Sequence, residues 1–101
     1  MSLVSPSSLS SLSSRPAPPL TLRLHAQDNV LVAQCALVPG TTLPGEAVTV
    51  RAAIPAGHKV AARPIAKDEP VRRYGQIIGF ASRDIGPGEH VHTQNVEMRD
   101  F

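Results

Sequence analysis

Three of the four histidines in this 101-residue chain fall in two short segments, His58-Lys59 and His90-Val91-His92. Residues i and i+2 of a strand share a face, so if Val91 packs inward, His90 and His92 point outward together. Two imidazoles on one face can ligate a divalent metal or take general acid and base roles. Two solvent-facing histidines on a terminal strand would show the same spacing. Lys59 is a cation able to hold a carboxylate or phosphate, or else a solvated turn residue. Tyr74, the only tyrosine, precedes Gly75, and its hydroxyl would be a donor at the edge of whatever that turn faces; the default reading is a core ring with a hydrogen-bonded tip. Asp28, Asn29 and Asn95 read as turn or cap residues, or as residues facing a site. Cys35, in the apolar run Val30–Leu37, reads as a small buried thiol, because nothing electropositive surrounds it to make a thiolate.

The elements that must position these groups come from a repeat. Ile54-Pro-Ala-Gly-His-Lys-Val60 recurs as Ile65-Ala-Lys-Asp-Glu-Pro-Val71 and as Ile85-Gly-Pro-Gly-Glu-His-Val91, with a weaker copy at Leu37-Val-Pro-Gly-Thr-Thr-Leu43. Each copy is an apolar residue, two turn-formers, Gly or Asp, two mostly polar residues and a second apolar residue. Proline presets the first corner of a turn, and glycine tolerates the positive φ that a second corner needs. The apolar ends then enter a shared core. Aligned by copy, Lys59 stands where His90 stands and His58 where Glu89 stands.

The rest of the chain reads as short strands: Leu20–Leu24, which alternates polar and apolar residues, then Val30–Leu37, Ala47–Arg51, Lys59–Arg63, Val71–Tyr74, Gln76–Ala81 and Glu89–Val96. Val30–Leu37 could also form a short helical turn. Gly79 inside Gln76–Ala81 suggests a bend or a close backbone passage. Strands at intervals of roughly ten residues argue an all-β domain with long open loops and few regular hairpins. Residues 1–19 form a Ser/Pro-rich segment that is expected to be disordered, and residues 20–101 form the one domain. Serines break every apolar pair of the tail and its first basic residue is Arg15, so a signal peptide is not expected.

Composition removes several classes of function. The net charge of +2 and 3% aromatic content argue against nucleic-acid binding, which wants a basic stripe or stacking rings. One cysteine excludes an internal disulfide framework, and no apolar stretch approaches the roughly 20 residues of a membrane span. The glycines do not form a phosphate loop. There is no nucleophile elbow, paired carboxylate or Cys/His metal box. A small domain without aromatic bulk in its core is also a candidate for oligomerisation or for docking on a larger protein. Chemistry at such a domain belongs at an interface.

Four segments taken in order carry a family likeness: Asp28-Asn29-Val30, Ile54-Pro-Ala-Gly-His-Lys-Val-Ala61, Tyr74-Gly75-Gln76-x-Ile78-Gly79-x-Ala81 and Gly88-Glu-His-Val-His-Thr93-x-Asn95. Over about Leu20 to Val96 the chain resembles the amino-terminal SAF domain of the altronate and galactarate dehydratase family, which includes the small subunits of sulfolactate sulfo-lyases. The resemblance implies a β-clip fold and a cytoplasmic lyase acting on sugar acids or sulfolactate. It also implies a divalent metal, commonly iron, and a large catalytic subunit or fused region that completes the site. A chain ending at Phe101 would then be the small-subunit form or an excised fragment. On the same likeness His58, His90 and His92 would serve proton transfer, with His90 and His92 in the metal shell. Lys59, Tyr74, Gly75 and Asn95 would bind and shape the substrate. The family usually reads His-Thr-His-Asn where this chain has His92-Thr93-Gln94-Asn95, and Gln94 has no proton to shuttle near neutral pH.

Two other readings compete with the lyase component. One is a free-standing SAF module that binds a sugar acid or a protein without chemistry. The other is a periplasmic pilus or flagellar chaperone, disfavoured by the tail. A pure binding module needs no titrating pair, so His58-Lys59 and His90-x-His92 favour the lyase.

Overall fold

The computed structural model describes residues 19–99, so the expected disordered tail lies outside the described residues except for Pro19. Every regular element among them is a strand: β1 (Thr21–Leu22), β2 (Val30–Ala33), β3 (Thr42–Leu43), β4 (Val48–Thr49), β5 (Lys59–Ala61), β6 (Pro70–Arg73), β7 (Gln76–Ala81), β8 (His90–Val91) and β9 (Val96–Glu97). They form three antiparallel sheets with the orders β1-β2-β5-β8, β3-β4 and β6-β7-β9. The all-β expectation is met.

The repeat sets the architecture. The apolar end residues Leu37 and Leu43, Ile54 and Val60, Ile65 and Val71, and Ile85 and Val91 are all buried. Their leading members pair off as isolated bridges, Leu37 with Ile54 and Ile65 with Ile85. The fourth position of each copy has positive φ: Gly40 at 92°, Gly57 at 84°, Asp68 at 72° and Gly88 at 85°. Each turn closes with a hydrogen bond from a backbone amide to the carbonyl three residues back, as in His58 N–H to Pro55 O at 3.1 Å and Glu89 N–H to Gly86 O at 3.1 Å. Asp68 fills the slot because a short polar side chain tolerates the left-handed region better than other non-glycine residues.

Two cores result. Leu31, Leu37, Leu43, Val50, Ile54 and Val60 pack in one, and Val30, Ala61, Ile65, Val71, Ile85 and Val91 in the other. Neighbours along β2 and β5 enter opposite cores, so the four-stranded sheet is a central layer covered on both faces. That is why β2 reads as an unbroken apolar run rather than an alternating one.

Several sequence expectations are corrected. The run Val30–Leu37 is a strand only to Ala33; the chain bends at Gln34-Cys35, and Cys35 is exposed rather than buried. The expected strand Glu89–Val96 is two strands in different sheets, β8 and β9, separated by a turn at residues 92–95. Asn95 makes that turn: its Oδ1 accepts the His92 amide at 3.0 Å and its Nδ2 donates to the His90 carbonyl at 2.9 Å. Gly79 behaves as expected, since a Cβ there would sit 2.5 Å from Val96 Cγ1. Among the described residues no buried side-chain nitrogen or oxygen lacks a partner, and no helix is long and apolar enough to cross a membrane.

Candidate active site

β5 and β8 are neighbouring antiparallel strands, with Lys59 opposite Val91 and Val60 opposite His90. Continuing that register by one residue sets His58 opposite His92. The repeat therefore lays its first strong copy beside its last and brings histidines 32 positions apart in sequence onto one surface. His58 Nδ1 and His90 Nε2 are 2.9 Å apart. The ring centroids stand 4.4 Å apart for His58 and His92, 5.1 Å for His58 and His90 and 5.5 Å for His90 and His92. One nitrogen from each ring can be chosen so that all three lie within 4.8 Å of one another. Val91 is fully buried while His90 and His92 are half-buried. The expected outward pair is present, joined by a third imidazole.

Gln94 orients this cluster. Its amide nitrogen donates to the His90 carbonyl at 3.1 Å and lies 3.3 Å from His90 Nδ1. An amide NH2 only donates, so His90 Nδ1 is the acceptor; Nε2 then carries the proton and donates to His58 Nδ1. Burial, then the neighbouring His58, His92 and Lys59, holds His90 below the ordinary imidazole value of 6.5. At neutral pH it is an uncharged base.

Lys59 leaves β5 on the opposite side from His58 by strand alternation. It nevertheless shares with His92 a cleft of about 210 Å³ whose other walls are Ile78, Thr93, Val96 and Met98. Burial, then repulsion by Arg73, lowers its pKa from 10.5. A second cleft on the other flank is bordered by His90 and Gln94. The cluster thus sits between an apolar and a polar recess.

Tyr74 and Gly75 occupy a different place, the two-residue turn between β6 and β7. Both have positive φ, 59° and 73°, the geometry of a type I′ hairpin turn. Tyr74 is 68% exposed, so the core-ring expectation is wrong: the turn geometry points the side chain outward. Gly75 is needed by packing too, since a Cβ there would lie 3.0 Å from the His25 ring. No hydrogen bond or ring contact among the described residues joins Tyr74 or Gly75 to the imidazoles. Asn95 is buried beneath β8 and spends its amide on the backbone of His90 and His92.

Asp28 and Asn29 are buried clamps rather than site-facing groups. The Asp28 carboxylate accepts the amides of Tyr74 at 2.8 Å and Gly75 at 2.7 Å. The Asn29 amide accepts from Arg72 N–H at 2.8 Å and donates to the Pro70 carbonyl at 2.9 Å, so it pairs with β6 as a strand backbone would. Sequence reading missed Gln94 as the residue that sets the His90 tautomer, and it missed the arginines of the polar recess. The recess arginines are Arg51 and Arg83. The copy alignment signals only Arg83, which like Arg63 stands two residues before the leading isoleucine of its copy, and nothing in the repeat points to Arg51.

A divalent cation bound by imidazole at about 2.0–2.1 Å would set its nitrogens about 3.0–3.4 Å apart. With one nitrogen from each of the three rings within 4.8 Å of the others, the donor set is of the type and number such an ion takes.

The chain is thus an all-β unit built on a turn repeat, with an imidazole cluster at one edge. Residues 19–99 match the altronate/galactarate dehydratase SAF domain, and the chain belongs to that family. It is 43% identical over 76 residues to the altronate dehydratase of Escherichia coli K12, covering 73% of this chain and 15% of that enzyme. It is 38% identical over 78 residues to the altronate dehydratase of Bacillus subtilis 168, covering 75% and 16%. A (2R)-sulfolactate sulfo-lyase subunit alpha from Chromohalobacter salexigens is 48% identical over 50 residues, half of this chain and 53% of that subunit. The chain thus spans about one-sixth of the length of the dehydratases it matches.

Proposed function

We propose that this chain is the SAF component of a lyase acting on hydroxylated carboxylates, and that it completes an active site whose remaining groups lie on a large catalytic region or subunit. The observation that carries the reading is the three-imidazole cluster of His58, His90 and His92, with Lys59 sharing a cleft with His92. The family match and the lyase names of the relatives support the reaction class.

Removing water or sulfite β to a carboxylate requires a base for the α-proton, an acid or Lewis acid at the leaving group, and a cation for the carboxylate. His90, uncharged at neutral pH, is suited to accept a proton. Its Nε2–H donates to His58 Nδ1, so a proton can pass between the two rings without solvent. Lys59 holds the substrate carboxylate, and an anion there offsets the burial that lowers its pKa. His58, His90 and His92 would hold a divalent metal, proposed as iron; when bound it would act as a Lewis acid toward the leaving group. Each ring must be uncharged to ligate, so metal affinity falls as pH drops; with the ion bound, the α-proton would go to a base on the catalytic region. Gln94 and Asn95 keep the His90 ring and the backbone of β8 in place, and Tyr74-Gly75 present the hairpin turn to the substrate or to the catalytic region.

The test is affinity capture of the tagged chain from its native host, followed by turnover assays of the recovered assembly. The expected result is a stoichiometric large dehydratase-type polypeptide, with elimination activity on altronate, galactarate or sulfolactate that a chelator abolishes. A monodisperse chain recovered alone, binding a sugar acid without turnover, would transfer the reading to a binding module.

A further inference from the structure

The polar recess beside His90 has a volume of about 520 Å³ and is bordered by Arg51, Ala52, Arg83, Glu89, His90 and Gln94. Two guanidiniums converge there on one carboxylate, Arg51 Nη1 at 3.8 Å and Arg83 Nη1 at 3.4 Å from Glu89. The repeat shows what the turn itself needs. In the twin turn, Arg63 pairs with Glu69 at 3.0 Å and Glu69 accepts the Ala66 amide at 3.0 Å. Arg83 and Glu89 reproduce both contacts, Glu89 accepting the Gly86 amide. One arginine per glutamate therefore suffices to clamp the turn, and Arg51 is surplus to it.

The surplus arginine has a place made for it. Gly86 stands where the twin turn has Ala66, and a Cβ at residue 86 would land on Arg51 Nη1. Arg51 is also tied by its backbone, its amide donating to the Gly88 carbonyl at 2.9 Å. The recess carries two cations against one anion, with the uncharged His90 at its border. The side chains are 58% and 53% exposed for Arg51 and Arg83, so both are free to re-pair with an incoming anion.

We infer that Arg51 and Arg83 form an anion subsite for the end of the substrate remote from the reacting carbon, so that the unit selects hydroxy acids bearing an anionic group at both ends. The inference rests on the lyase reading of the imidazole cluster and names its substrate class. A planar guanidinium matches a carboxylate or sulfonate through two parallel N–H donors, and two of them favour the doubly charged ligand over a monoanion of equal length.

The full chain, labelled with nitrogen-15, is titrated with galactarate as the dianion, gluconate as a six-carbon monoanion and inorganic sulfate. Galactarate is expected to shift the Arg51 and Arg83 side-chain N–H signals and to bind at least tenfold more tightly than gluconate, with sulfate moving the same signals. Arg51→Gln leaves the Arg83–Glu89 clamp intact, and Gly86→Ala places a methyl where the Arg51 guanidinium lies. Each is expected to reduce the dianion preference at least fivefold while the thermal unfolding midpoint stays near that of the parent. Equal binding of the two acids, or a preference that survives both substitutions, overturns the subsite. If both acids shift the imidazole signals but show no preference, the subsite falls and the lyase reading stands. If galactarate reaches the arginines while the assembled enzyme turns over no hydroxy acid, the lyase reading falls and the anion site stands.

Discussion

At the residue scale, His90 is the group to which the proposed proton transfer is assigned, and its environment gives it a measurable signature. Burial first, then His58, His92 and Lys59, keeps its pKa below 6.5 in the folded chain. A depressed pKa means that the unfolded chain takes up the proton first as pH falls. The stability linked to neutral His90 is therefore complete above the ordinary imidazole value, and is lost progressively as pH drops through it toward the folded value. Urea midpoints measured with chelator present are expected to fall between pH 7.5 and pH 5, and His90→Asn is expected to flatten that slope. An unchanged slope in the variant would mean that His90 is not the group that titrates. His90 and His92 were legible as a pair from spacing alone. That His58 stacks on them was not, because it depends on which repeat copy lies beside which.

At the scale of elements, the turn repeat is the device that turns this sequence into this fold. Reading it as apolar ends around a Pro-Gly corner located the core residues and the positive-φ slot, and it accounts for Asp68 standing in for glycine. Strand ends were less legible. Asn95 breaks the expected terminal strand through side-chain bonds to His90 and His92, a local competition that no alternation pattern reports. Tyr74 was misplaced for a related reason: a left-handed residue in a hairpin turn is bought by the buried Asp28 carboxylate, 46 positions away in sequence. The four slots also differ in a testable way. At Gly57 nothing stands within 4 Å of an added Cβ, whereas at Gly88 the Cβ would run into the Thr49 carbonyl. Gly57→Ala should cost only the left-handed penalty, about 1–2 kcal/mol. Gly88→Ala adds a backbone collision and should exceed about 3 kcal/mol. Equal losses in urea unfolding would show that Gly88 is not packed against the β4 strand as described.

At the scale of the molecule, 81 described residues (19–99) build an edge on which three imidazoles meet, flanked by an apolar recess with Lys59 and a polar one with Arg51 and Arg83. An open edge of this kind does not exclude water by itself, which is why chemistry here calls for a second surface. The relatives that the chain covers only in small part are consistent with that need. Family membership was legible from four motifs in order. The charge layout around the cluster was not, because it comes from residues between the motifs. The most direct test of the account is turnover of the assembled lyase with His92→Ala in this chain, assayed with metal content and folding checked in parallel. The account predicts a loss of kcat of at least about 100-fold, the scale of one acid–base or metal-binding group, with assembly intact. Turnover equal to that of the parent enzyme would contradict it.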